Sequence, residues 1–262
     1  MAMLIDPALR SSLGQALGLA GRTVVVTGAN SGIGQAVALG LAELGVNVLG
    51  LARREEGLAA VAEQAAQAGT SFAYAVADVT DEASVEAAMD RAVETFGGLH
   101  GVVANAGIAV VQPALEVSAD DFRSVVDTNL NGVFLTARSG AKRMTGGGSI
   151  VLTSSSFARR GFPDWSSYNA SKAAVSMLAE TLAVEWAPRG VRVNAIGPTA
   201  TLTPVNAALF ADPDFTASVV AGIPAGRILD ARELILPTAF LLSPVNGMIL
   251  GQTLMVDGGQ TL

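Results

Sequence analysis

Cysteine is absent from the 262-residue chain, and histidine occurs once, at His100. Without thiols there is no disulfide framework, thiolate nucleophile or Cys-ligated metal. One imidazole leaves a His-rich zinc site or a Ser-His-Asp hydrolase almost nothing to work with, so no metal is expected. Charge is scarce too: 15% of residues are charged, and the formal net charge is −7. No basic stripe is visible, which argues against nucleic acid as a partner. The opening MAMLIDPALR lacks a basic segment followed by an apolar core, so no signal peptide and a cytoplasmic location are expected. Long apolar runs are also missing. The best candidate for a membrane span, residues 33–52, is interrupted by Gln35, Glu43, Gly45 and Asn47. It reads as a buried helix followed by a buried strand, and no membrane association is expected.

What is present is an apolar majority arranged in alternation. Half the residues are hydrophobic, enough for a large core. Short β-branched runs at 23–27, 46–51, 72–77, 101–104, 149–153, 191–196 and 253–256 read as strands. Ala-rich stretches at 32–44, 54–68, 82–96, 119–144, 165–186 and 231–242 read as helices. The strands are continuously apolar, as expected when helices cover both faces. The pattern predicts an α/β fold, a doubly wound parallel seven-stranded sheet with right-handed crossovers. No repeat or linker divides the chain, so residues 1–262 read as one domain. Residues 197–225, rich in Pro and Thr with a short helix at 205–210, read as a lid-like insertion.

The first strand runs into Thr27-Gly28-Ala29-Asn30-Ser31-Gly32-Ile33-Gly34. Glycines there let backbone N–H groups approach a pyrophosphate, and the following helix start adds partial positive charge. An ordinary strand-to-helix turn would look similar, so the loop needs company. It has it. Asp78-Val79 follows the third strand, Asn105-Ala106-Gly107 the fourth, and Asn129 lies in Thr128-Asn129-Leu130. Ser155 precedes Tyr168, and Tyr168-Asn169-Ala170-Ser171-Lys172 is a Tyr-x-x-x-Lys motif in a chain with two tyrosines and two lysines.

This set resembles the short-chain dehydrogenase/reductase family from about Gly21 to Gly259. The resemblance implies a Rossmann-like fold and a catalytic set of Asn129, Ser155, Tyr168 and Lys172. It implies cofactor contacts from Gly28, Asn30, Ser31, Gly32, Ile33, Gly34, Asp78, Val79, Asn105, Ala106, Gly107, Tyr168, Lys172, Pro198 and Thr203. In reduction the Tyr168 and Ser155 hydroxyls would bond the substrate carbonyl oxygen, and Tyr168 would give its proton to the developing alkoxide. Lys172 would bind the nicotinamide ribose, and Asn129 would hold a water linking Lys172 to solvent. From the residues alone, positions i and i+4 of a helix share a face. A lysine charge about 4 Å from the phenol would be worth about 4 kcal/mol, lowering a pKa near 10 by roughly three units.

Two departures stand out: Ala104 replaces the first Asn of the family's Asn-Asn-Ala-Gly, and Thr199 replaces the glycine of Pro-Gly after the sixth strand. His100, where the family often has Asp, reads as structural, and Trp165 and Trp186 as helix packing. The second strand ends at Ala52 followed by Arg53 and Arg54, without the Asp that binds ribose hydroxyls in NAD enzymes. NADP(H) is therefore favoured, with Arg53 on the 2′-phosphate; NAD(H) is the alternative. The pocket wall (108–110, 156–162, Trp165 and 199–215) is mostly apolar through Phe157, Phe162, Leu202, Val205, Leu209 and Phe210. It suits a ketone or secondary alcohol. Arg159 and Arg160 keep a sugar acid as runner-up, and Arg138, Lys142 and Arg143 are a thin docking patch for the acidic carrier of a 3-oxoacyl reductase. A non-catalytic NADP(H) binder would not need Ser155. Family habit implies a homotetramer, with a homodimer as the alternative. The helical faces at 119–144 and 165–186 and the last strand are the candidate contacts.

Overall fold

The computed structural model describes residues 7–203 and 206–262. Its elements in chain order are α1 (Pro7–Ala16), β1 (Thr23–Thr27), α2 (Gly32–Glu43), β2 (Asn47–Ala52), α3 (Glu55–Gln67), β3 (Phe72–Val76) and α4 (Glu82–Phe96). There follow β4 (Gly101–Ala104), α5 (Ala119–Val126), α6 (Gly132–Arg143), β5 (Gly148–Thr153), α7 (Ser166–Trp186) and β6 (Val191–Pro198). The last are α8 (Ala207–Phe210), α9 (Pro213–Ala221), α10 (Ile235–Leu242) and β7 (Thr253–Val256).

The strands form one parallel sheet in the order β3-β2-β1-β4-β5-β6-β7. Strand direction makes successive side chains alternate between faces. Val25 therefore joins a core with Met89, Val133, Val175 and Trp186 from α4, α6 and α7. Its neighbours Val24 and Val26 join a second core with Leu41, Leu234 and Leu241 on the other face. That two-sided burial is why the strands are apolar throughout. The order reverses between β1 and β4, and the crevice beyond the strand ends there is where ligands bind in such sheets.

The sequence anticipates the strands to within two residues, but several other elements differ. Residues 119–144 are not one helix: a π-turn, Asp127–Asn131, separates α5 from α6. Residues 231–242 begin as a 3-10 turn, Ala231–Leu234, before α10. Helix α1 was not anticipated. In the insertion, residues 197–198 belong to β6, α8 covers part of the expected short helix, and α9 is new. Helix α9 had a readable signal: Asp212 accepts from the Asp214 amide (2.9 Å), and Pro213 starts the helix. Val205 and the side chain of Leu209 lie outside the described residues.

His100 is structural, as read: its Nδ1 accepts from the Thr23 amide at 3.0 Å, and burial holds its pKa below the usual value. Trp186 is buried in the core. A buried cation, unexpected from the sequence, closes the C-terminal end of α10. Arg192 donates to the carbonyls of Leu241 (3.2 Å), Leu242 (3.3 Å), Ser243 (2.8 Å) and Asn246 (3.2 Å). These include helix-end carbonyls that lack intrahelical partners, and the dipole there favours positive charge. Arg192→Met removes every one of these donors while keeping an apolar stem. The expected cost is about 2–4 kcal/mol, read as a lower denaturation midpoint at unchanged slope; an unchanged midpoint would show that the cap contributes nothing.

Candidate active site

The loop after β1 needs its glycines for two different reasons. Gly28 (φ +70°) and Gly32 (φ +57°) occupy left-handed backbone that side chains avoid. At Gly34 the limit is space: a β-carbon would lie 2.2 Å from the Gly28 carbonyl oxygen. Ser31 caps α2 in extended conformation but its hydroxyl makes no capping bond. The first amides of α2 are thus left without a side-chain acceptor, the arrangement that receives a phosphate. Ile33 packs inward on the core, and Asn30 packs toward Gly57 of α3. Thr203 lies over the loop: a β-carbon on Gly32 would be 3.1 Å from its methyl.

Asn105 and Ala106 knit the switch point together. The Thr27 hydroxyl accepts from both of their amides at 3.0 Å, and Asn105 Nδ2 donates to the Thr27 carbonyl at 3.0 Å. The sequence reading missed Thr27; a polar residue ending an apolar strand was its signal. Asp78 accepts from the Thr80 amide (2.9 Å) and hydroxyl (2.8 Å). The Thr80 amide is the largest cause holding its pKa below the usual value, and the Arg53 charge adds to it. Val79 packs on Gly132 of α6. Arg53 and Arg54 are exposed at the end of β2. Pro198 ends β6 beside Val256.

Helix α7, the end of β5 and the π-turn bring the four expected catalytic residues together. Asn129 is fully buried in the π-turn, a distortion that often accompanies functional sites. Its side chain clamps Ile108, accepting from the amide (2.8 Å) and donating to the carbonyl (2.9 Å), with a longer bond to the Ser171 hydroxyl (3.2 Å). Beside the clamp is Gly107, where a β-carbon would come within 3.1 Å of Asn129 Oδ1 and 3.6 Å of Lys172 Nζ. Lys172 is buried and donates to the Thr153 carbonyl at 2.7 Å. The three consecutive serines separate by partner. Ser154 bonds the Lys172 carbonyl (3.0 Å) and the Ser176 hydroxyl (2.8 Å), and the buried Ser156 hydroxyl has no partner among the described residues. Ser155 interacts with the Tyr168 phenol. Against Tyr168 stand Trp165 (centroids 5.5 Å apart) and Phe157 (5.9 Å), both edge-on, with Phe162 stacked on Phe157 at 3.9 Å. Trp165 is thus part of the wall as well as packing. Asp164, the one non-glycine residue with positive φ (+70°) among those described, turns the chain into α7. Those residues contain no cluster suited to a metal.

Comparison with known proteins identifies the family. The family model described as enoyl-(acyl carrier protein) reductase matches residues 28–261. The chain is 40% identical over 250 residues to 3beta-hydroxysteroid dehydrogenase 1 of Eggerthella lenta, covering 93% of this chain and 95% of that one. The chain belongs to the short-chain dehydrogenase/reductase family. Its fold superimposes on a gluconate 5-dehydrogenase from Burkholderia cenocepacia in complex with NADP and tartrate (TM-score 0.89, 35% identity, 94% and 98% of the two chains). It also matches 3-ketoacyl-(acyl-carrier-protein) reductase from Brucella melitensis complexed with NADH (TM-score 0.86, 33% identity, 93% and 100%). This short-chain dehydrogenase/reductase is an NAD(P)-dependent oxidoreductase. The glycine cradle at Gly28, Gly32 and Gly34 fits a dinucleotide, since a side chain at any of them would strain or fill it.

The electrostatics correct one expectation. Lys172 does not pull the Tyr168 pKa down in this arrangement. Burial pushes the phenol up, and the Ser155 hydroxyl opposes it. The ammonium lies 5.5 Å from the ring centroid and bonds the Thr153 carbonyl, and burial lowers its own pKa to about 8. Lys172 is buried and Tyr168 is partly exposed, and burial is the larger influence on the phenol. The burial of Lys172 has a sign that can be measured. Its folded pKa lies below the ordinary 10.5, so the folding penalty is complete below pH 8 and is relieved as pH rises from 8 to 10.5. Relative to Lys172→Met, which has no such proton, the native protein should gain about 3 kcal/mol across that window. A stability difference flat from pH 7 to 10.5 would show that the ammonium is not desolvated.

Proposed function

We propose that this oxidoreductase interconverts an apolar, ring-sized ketone and its secondary alcohol with NADP(H), using Tyr168 as general acid and base. The observation that carries the reading is the aromatic wall of Phe157, Phe162 and Trp165 around the Tyr168 phenol. Such a wall stabilises an apolar body and leaves the Ser155 and Tyr168 hydroxyls to bond one oxygen. The hydroxysteroid relative supports a ring alcohol as substrate.

When bound, the nicotinamide supplies the hydride that adds to the carbonyl carbon, or accepts it in the reverse direction. Tyr168 donates its proton to the alkoxide oxygen as that charge forms, and Ser155 holds the same oxygen. Burial pushes the phenol pKa up, which favours the protonated form that donates. Lys172, beside Gly107 and Asn129, would bind the ribose hydroxyls. Gly28 to Gly34 and Thr203 would hold the pyrophosphate, and Asp78, Val79, Asn105 and Ala106 would line the adenosine side. Arg53 is exposed and makes no ion pair among the described residues, which suits a 2′-phosphate.

A sugar acid is the second reading, supported by the gluconate 5-dehydrogenase structure and the exposed Arg159 and Arg160. The carrier-protein reading is weakened by ion pairing. Arg138 faces Glu82, Lys142 faces Glu86 (2.8 Å), and Arg143 faces Glu86 (2.6 Å) and Asp90 (2.7 Å), so the docking patch is already neutralised. Exposed Met177 and Val184 on α7 and Leu254 on β7 support the homotetramer.

The test follows nicotinamide absorbance against cyclic ketones, 3-oxoacyl thioesters and keto-sugar acids. Selective NADPH oxidation by cyclic ketones is expected; activity confined to NADH and sugar acids would overturn both assignments. Tyr168→Phe should lower kcat by about a thousandfold or more with cofactor affinity nearly intact. Arg53→Ala should raise KM for NADPH about tenfold and leave KM for NADH unchanged. The reverse reaction should accelerate toward alkaline pH, because the raised phenol must ionise to act as a base; an alcohol oxidation rate that falls with rising pH would exclude Tyr168 as the base.

A further inference from the structure

We propose that Gln260, in the C-terminal turn, is a positioning residue for cofactor binding, acting through Thr199 at the base of the lid. The inference rests on the nicotinamide-cofactor reading above. Gln260 is 4% exposed, and its Oε1 accepts from the buried Thr199 hydroxyl at 2.7 Å. The turn that carries it is itself fixed. The Asp257 carboxylate accepts from the Gly259 amide (3.0 Å), the Thr261 amide (3.0 Å) and the Thr261 hydroxyl (2.6 Å). Arg160, in the segment after Ser155, donates to the Gln260 carbonyl at 3.2 Å. The amide is therefore a fixed post, and the Thr199 hydroxyl is moored to it.

From Thr199 a line of hydrogen bonds leads to the phosphate loop. The Thr199 carbonyl accepts from the Thr201 hydroxyl at 2.8 Å, and the Thr201 carbonyl accepts from Asn206 Nδ2 at 2.9 Å. Asn206 Oδ1 accepts from the Thr203 amide (2.8 Å) and hydroxyl (3.1 Å). The Thr203 methyl then covers Gly32. Thr199 is buried beside a cavity of about 360 Å³ shared with Leu229, Val256 and Asp257. The Thr199 amide on the Val256 carbonyl (3.2 Å) and the Leu229 amide on the Ala200 carbonyl (3.0 Å) hold the backbone there, and the hydroxyl-to-amide bond adds the side-chain tie to the C-terminal turn. A buried polar group that loses its partner is costly, so the bond is held firmly. Glycine at position 199 would have no hydroxyl to moor, which makes this coupling a property of the residue pair in this chain.

The experiment titrates NADPH and NADH into the native protein, Thr199→Val, Gln260→Leu, the double variant and Thr199→Ser. It reads Kd by nucleotide fluorescence, kcat at saturating cofactor, and the melting temperature. Each single loss of the bond should weaken the tighter-binding nucleotide about tenfold, with kcat of Gln260→Leu held within about twofold. The double variant should be no weaker than either single one, and Thr199→Ser, which keeps the hydroxyl, should bind like the native protein. Variants that melt earlier but bind normally would reduce the bond to a structural one and overturn the inference, as would additive losses in the double variant. A native protein that binds neither nucleotide would overturn the cofactor reading itself, whereas tight binding shared by every variant would overturn this inference alone.

Discussion

Two hydrogen bonds between the end of β5 and one turn of α7 hold the site together. The Lys172 ammonium donates to the Thr153 carbonyl, and the Lys172 carbonyl accepts from the Ser154 hydroxyl. Side chain and backbone of one residue are thereby tied to neighbouring residues of the strand end. This rung fixes the height of α7 against the sheet, and with it the distance from Tyr168 to Ser155. It also requires a buried cation, which the protein tolerates because the carbonyl is a well-placed acceptor. A site that holds an ammonium in a dry place is destabilised for the sake of its chemistry, as functional sites commonly are.

The same logic of ties across elements recurs at the switch point. Thr27 gathers two amides of β4's outgoing loop, and Asn105 returns a bond to Thr27. The glycine loop can then lie open, because its flanks are held from the side. Asn129 holds Ile108 through both backbone groups, in the manner of a short strand partner, and does so from a π-turn whose extra residue swings it inward. Each of these ties sets where a neighbouring group of the site is held.

How much was legible in the sequence follows from where the information lies. The strands were readable because burial on both faces demands unbroken apolar runs, and Val24, Val25 and Val26 satisfy two cores in three residues. Ser155, Tyr168 and Lys172 were readable because motif spacing encodes their shared location. The π-turn at Asp127–Asn131 was not, because one added backbone residue per turn leaves helical periodicity nearly unchanged. The setting of the Tyr168 phenol was legible only in part, because a charge pair can be drawn from i and i+4 spacing, whereas desolvation depends on everything packed around it. The ion pairs that neutralise Arg138, Lys142 and Arg143 join residues more than 50 apart in the chain, beyond any local pattern. The link from Gln260 to Thr199 is of the same kind.

The placement of His100 has a consequence for anyone who follows this protein by titration. The chain's one imidazole serves as an acceptor for the first amide of β1, and it stays neutral to lower pH than a free histidine. No thiol shares the near-neutral range with it. Among the described side chains the buried ammonium of Lys172, lowered to about 8, is therefore the group to follow when a ligand binds.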